Sequence, residues 1–211
     1  MQIDDRGRRL LDVFAIAPLR HGSTLRRMPH YVAFLRGINL GNRRLKMDAL
    51  RAHFVALGLS DVSTFIASGN VLFSSRSADG RKLAQKIQGH LHKALGYEVD
   101  AFVRTRAEVA AIAAHRPFID SDLAHPAHTV HVAFLSEPLS AAQAKGLVAC
   151  RTEVDGLSVN GREFYWLCRI KSHESTVWAQ TALRALKLPS SSMRSLTTIR
   201  KLAGLYPPPP T

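Results

Sequence analysis

Two short polar segments bring together the residue types that hold anions. Arg36-Gly37-Ile38-Asn39-Leu40-Gly41-Asn42-Arg43-Arg44-Leu45-Lys46 leaves one apolar run, and Ser68-Gly69-Asn70 separates two others. Arg36, Arg43, Arg44 and Lys46 supply positive charge. Asn39, Ser68 and Asn70 supply directed amide and hydroxyl groups. Gly37, Gly41 and Gly69 let backbone approach a ligand closely. Where such a loop opens a helix, free backbone N–H groups join the cations, and the combination suits carboxylate or phosphate. A plainer account covers the same residues: glycine and asparagine serve turns, the asparagines bridge loops, and Arg36 pairs a carboxylate. A catalytic role for Arg36 or Ser68 is a third account, but no His or Lys adjoins Ser68 in sequence to activate it.

The elements that must position these residues follow from hydrophobic periodicity. His30 to Leu35 is almost continuously apolar, as a strand buried on both faces is. Met47, Leu50, Phe54 and Leu57 recur at helical spacing, with Gly58 placed as a C-terminal stop. Val62 to Ala67 and Val71 to Phe73 read as strands flanking the Ser68-Gly69-Asn70 turn. Asp79 is placed to cap a helix carrying Leu83, Ile87, Leu91 and Leu95, which Gly96 ends, and Glu98 to Arg104 alternates as a strand does. The order β-α-β-β-α-β is the split βαβ arrangement, with a 4-1-3-2 sheet. In that topology the exit of the first strand, the start of the first helix and the second-to-third turn share one end of the sheet. Arg36, Asn39, Ser68 and Asn70 should then converge within about 10 Å, since adjacent strands are about 4.8 Å apart.

The pattern partly repeats. A helix over Arg106 to Ala114 and a loop to Pro126 lead to Thr129–Leu135, whose Val-Ala-Phe-Leu echoes the first strand. Ser140 to Ala149 is helical, Glu153–Val159 and Glu163–Leu167 form a hairpin around Asn160-Gly161, and helices are expected over Thr176–Leu186 and Leu196–Leu205. A fourth strand is missing from this second unit or replaced. The fold class is α+β: two ferredoxin-like (split β-α-β) units in tandem, the second incomplete, packed as one compact protein. Residues 29–116 form the first unit and 127–206 the second. Residues 1–28 read as a disordered extension or an unused upstream start, and 207–211 as a Pro-rich tail.

Composition narrows the function classes. The formal charge of +13 favours polyanionic partners, though Arg- and Ala-rich composition alone also produces such a balance. No apolar run approaches the roughly 20 residues that span a bilayer. The two cysteines, Cys150 and Cys168, have no CxxC spacing. No Walker loop, GxGxxG, HExxH or Cys/His zinc spacing occurs, so no metal site is expected and no cofactor can be named. His128 and His131 fall on opposite faces of a strand, and Cys168 with His173 resembles a nucleophile pair only superficially. Tyr165 and Trp166 beside Arg162 and Arg169 would suit base stacking if their sheet were exposed, and are core otherwise.

These segments resemble the family known as domain of unknown function 1697. Its opening pattern is matched by Arg36-Gly37-Ile38-Asn39 through Met47, and its Ser-Gly-Asn-Val pattern by Ser68 to Val71. Ser192-Met193-Arg194-Ser195-Leu196-Thr197-Thr198-Ile199 is similar to a third pattern, with Ser195, Leu196 and Thr197 where the family has Asn, Trp and Asn. The resemblance covers Pro29 to Leu205. It implies an α+β fold of two ferredoxin-like halves, adds Arg194 as a possible site residue, and implies no established activity. The expected function is a soluble, cytoplasmic binding module for an anionic small molecule or nucleotide at the Arg36–Lys46 loop and the Ser68–Asn70 turn. A nucleic-acid-associated basic protein, or an enzyme on a phosphorylated or carboxylated substrate at the same loops, are the alternatives. The sequence does not set the oligomeric state.

Overall fold

A computed structural model of the chain describes residues 28–39, 44–66 and 69–208. The expected N-terminal extension, the last residues of the Pro-rich tail, Gly41, Arg43 and Ser68 lie outside the described residues.

The first half runs β1 (His30–Arg36), α1 (Met47–Ala56), β2 (Ser60–Phe65), β3 (Asn70–Ser74), α2 (Gly80–Leu95), β4 (Asp100–Thr105) and α3 (Arg106–Ala114). Its sheet has the order β2-β3-β1-β4, all neighbours antiparallel, which is the 4-1-3-2 order expected. The unbroken apolar run of β1 is explained by its central place: both faces are covered. Tyr31, Ala33 and Leu35, with Val71, Phe73, Ala101 and Val103, meet Leu50 and Phe54 of α1 and Leu83, Ile87 and Leu91 of α2. Helix α2 begins where Asp79 accepts from the N–H groups of Arg81 and Lys82, and ends at Gly96 in the left-handed region.

A short helix α4 (Asp120–Ala124), within the segment expected to be loop, leads to the second half. This runs β5 (Thr129–Phe134), α5 (Ala141–Ala149), β6 (Asp155–Asn160), β7 (Glu163–Cys168), a 3-10 turn (Val177–Ala179), α6 (Thr181–Ala185), β8 (Ser192–Ser195) and α7 (Leu196–Leu205). Its sheet, β6-β7-β5-β8, repeats the first with β8 in the place of β4. The fourth strand expected to be missing is therefore present. It is four residues long, and the side chains at Ser192 and Arg194 are polar, so no apolar alternation marks it. The single helix expected over Thr176–Leu186 is broken: Gln180 is extended, and its side-chain amide donates to the Cys150 carbonyl at 3.0 Å.

The two sheets lie face to face. Val32, Phe34, Leu72 and Phe102 of the first share one core with Val132, Phe134 and Tyr165 of the second, joined by Val109 and Ile112 of α3 and Leu196, Ile199 and Leu202 of α7. Phe34 and Phe134 stack at its centre, 3.9 Å apart and 8° from parallel. The outer face of the second sheet, with Ala133, Phe164 and Trp166, packs on Leu147, Val177 and Leu183. Tyr165 and Trp166 are buried, so the open sheet that base stacking requires does not exist there. Among the described residues no helix is long and apolar enough to cross a membrane.

Phe34→Ala should empty the middle of the shared core and cost about 3–5 kcal/mol, as buried phenylalanine truncations do. Urea unfolding measures this directly, and a loss below about 1 kcal/mol would contradict the face-to-face packing.

Candidate functional site

Strand β1 ends against the β2–β3 turn. The Leu35 N–H donates to the Gly69 carbonyl at 2.8 Å, and Phe34 sits opposite Asn70 in the sheet. Gly37 and Gly69 hold φ of +85° and +72°. A Cβ at Gly69 would lie 3.2 Å from the Leu35 Cβ and 3.1 Å from the Ile38 Cγ2, and one at Gly37 would lie 3.2 Å from the Glu98 carbonyl. Positive φ favours glycine at both positions, with close approach of the Glu98 backbone at Gly37 and of the Leu35 and Ile38 side chains at Gly69. Ile38 is buried beside them, and its carbonyl accepts from the Tyr97 hydroxyl at 3.2 Å. The two motifs are neighbours at one end of the sheet.

The loop closes on Asn39, whose Oδ1 accepts from the Leu45 N–H at 2.8 Å. Helix α1 then starts after Lys46, which makes no side-chain cap. The helices α2, α3, α5 and α7 are each capped, by Asp79, Thr105, Ser140 and Ser195. Arg44 and Lys46 are exposed beside the start of α1. Arg36, its side chain 53% exposed, reaches Asp100 at 3.2 Å. That surface pair contributes little to stability and leaves the guanidinium accessible. Ile66, in the adjoining turn, is exposed with φ of +50°, an unusual conformation for a β-branched residue.

Asn70 faces the other way. It is 0% exposed; its Nδ2 donates to the Phe65 carbonyl at 3.1 Å and its Oδ1 accepts from Arg194 Nε at 2.6 Å. Arg194 also donates to the Leu35 carbonyl at 2.9 Å, the Met193 carbonyl at 2.7 Å and Ser192 Oγ at 3.0 Å. Burial pushes its pKa down to about 10, so it stays charged at neutral pH. Asn70 and Arg194, expected among ligand contacts, are committed to the frame of the molecule: an amide at the first position of β3 is the nearest acceptor for a guanidinium arriving from β8.

The same device appears once more. Arg104, 1% exposed, donates from Nε to Glu163 at 2.6 Å and from Nη2 to the Leu135 carbonyl at 2.7 Å, beneath the Phe134 ring. Burial lowers its pKa, and Glu163 opposes that shift. Arg104 pairs with Val32 in its sheet as Arg194 pairs with Val132, and Glu163 opens β7 as Asn70 opens β3. The Leu135 N–H donates to the Arg162 carbonyl as Leu35 does to Gly69. The Val-Ala-Phe-Leu echo marks these equivalent strands, but the buried arginines carry no sequence signal beyond a charge inside a strand.

A family model described as a protein of unknown function, DUF1697, matches residues 28–165. The chain belongs to the DUF1697 family. No curated protein matches the sequence. Among solved structures, a conserved bacterial protein, SP0830, from Streptococcus pneumoniae is similar, with a TM-score of 0.64 and 20% identity over 84% of this chain and 98% of that one. The likeness shows a shared fold. The matched DUF1697 segment includes Arg36, Asn70 and Arg104, while Arg194 lies beyond it.

Arg194→Met should remove the guanidinium shared by Asn70 Oδ1 and the Leu35 carbonyl and cost about 1.5–3 kcal/mol, as the loss of a buried hydrogen bond to a charged group does. Arg36→Ala should change stability by less than about 1 kcal/mol, as exposed ion pairs do. Urea unfolding of both variants checks the contrast, and equal losses would contradict the division between frame and surface.

Proposed function

We propose that the protein binds an anionic small molecule or nucleotide at the Arg36–Lys46 loop. The observation that carries this is the start of α1. Its N-cap residue Lys46 supplies no side-chain cap, whereas Ser140 caps the counterpart α5, and exposed Arg44 and Lys46 flank it. An anion there would take up helix N–H groups and the positive end of the helix dipole together with the cations. Arg36 supplies a guanidinium from the strand end. Gly37 and Asn39 shape the loop, and Asn70, Gly69 and Arg194 hold the frame beneath it. We also read the halves as two ferredoxin-like units, residues 29–116 and 127–206. The matching strand orders and equivalent arginine positions support that division.

The formal charge of +13 favours nucleic acid as a second reading. Calorimetric titration with inorganic phosphate, AMP and ADP, on wild type and Arg44→Ala/Lys46→Ala, separates the two. The loop site predicts saturable mononucleotide binding that weakens about tenfold or more in the variant, equivalent to about 1.4 kcal/mol. Binding unchanged in the variant, or none to any probe, would exclude the loop. A nucleic-acid protein would instead bind a single-stranded oligonucleotide with affinity falling steeply with salt while ignoring mononucleotides.

A further inference from the structure

At the opposite end of β1 from Arg36, a cleft of about 630 Å³ opens between the C-terminal end of α1 and the start of α2. Its apolar part is Leu57, Leu59, Leu83 and Met28. Its polar part is Arg76, Lys82 and Lys86 with Ser60, Ser74, Ser75 and Ser77, and the lining contains no carboxylate.

The hydrogen bonding of this polar set is one-sided. Ser75 Oγ accepts from the Ser77 N–H and Ser77 Oγ accepts from the Asp79 N–H, both at 3.2 Å. Each hydroxyl has thus used acceptor capacity on the backbone and keeps its proton to give. Lys86 Nζ donates to the Leu57 carbonyl at 2.8 Å, which fixes the ammonium at the rim with two further protons. Lys82 lies 3.8 Å from Asp79, a long pair with the lysine side chain 81% exposed. Asp79 itself is held by the N–H groups of α2 and stays outside the lining. Ser74 is fully buried and bonded to His30 Nδ1 at 2.7 Å, so it belongs to the wall and is not an accessible nucleophile.

We infer that this cleft is a binding site for an organic phosphate ester, the phosphate among Arg76, Lys82, Lys86 and the Ser75 and Ser77 hydroxyls, the organic body against the leucines. The volume is that of a small-molecule site, and an apolar wall with a few convergent donors is the usual composition of one. Three cationic side chains and two hydroxyls around a lining without a carboxylate suit a dianion better than a neutral ligand. The site is separate from the Arg36–Lys46 loop and does not depend on it.

Phenyl phosphate, phenol and benzoate, titrated by calorimetry and by amide NMR shifts, test the inference. Phenyl phosphate should bind most tightly, shift the amides of Gly58, Leu59, Ser75 and Ser77, and lose about tenfold affinity or more in Arg76→Ala/Lys82→Ala. Lys201→Ala, at an exposed lysine of α7 outside the cleft lining, should leave its affinity unchanged. Phenol binding as well as phenyl phosphate would overturn the phosphate assignment. Unaltered affinity in Arg76→Ala/Lys82→Ala, loss in Lys201→Ala alone, or no saturation up to about 10 mM would overturn the site. Arg76 is exposed, and its removal does not threaten folding.

Discussion

Two guanidinium groups crossing between the sheets constrain everything else in the molecule. A buried arginine must place all its donors or cost several kcal/mol, and its planar fork allows few ways to do so. Arg104 leaves the edge of the first sheet and takes the Leu135 carbonyl, just past the end of β5 in the second. Arg194 leaves the edge of the second and takes the matching carbonyl of the first, at Leu35. Each then reaches the opening residue of a neighbouring strand, a carboxylate at Glu163 and an amide at Asn70. The apolar contact between sheets is strong but has little direction; these bonds choose one register for it. The stacked rings of Phe34 and Phe134 mark the centre about which the two arrangements repeat.

The surface at the end of β1 follows from that frame. The Leu35 carbonyl accepts from Arg194 and Ser192 and its N–H donates to Gly69, and the pairing of β1 with β4 ends one residue on, at Arg36 opposite Asp100. Gly37 makes the turn, Ile38 plugs the gap beneath, and Asn39 ties the returning strand of loop at Leu45. Polar groups that look alike in sequence are thereby sorted. Asn39 and Asn70 are bonded within the frame, while Arg36, Arg44 and Lys46 are exposed around the start of α1, where Lys46 makes no side-chain cap. The phosphate-type cleft at the far end of β1 uses another consequence of the same sheet, the Ser-rich crossing from β3 to α2.

The strand order of the first half was legible because its signals are strong: a continuous apolar run for the central strand, a helical stripe from Leu83 to Leu91, and glycine punctuation. The nearness of Arg36 and Asn70 followed from that order. The direction in which Asn70 points did not, because it depends on Arg194, 124 residues away. Strand β8 was hidden for the same reason. Its register is set by Ser192 and Arg194 bonding to Leu35, and such long-range polar contacts leave no periodicity. The break at Gln180 likewise depends on the distant Cys150 carbonyl. Sequence patterns report burial, whereas these choices were made by hydrogen-bond partners.

Both tryptophans, Trp166 and Trp178, lie in the second half, so their fluorescence follows that half alone, while far-UV circular dichroism follows both. If reciprocal arginines lock the sheets together, the two signals should trace one urea transition with a single midpoint. Separate midpoints would mean that each half unfolds on its own, and the cross-sheet guanidiniums could not then be the constraint on which the structure depends.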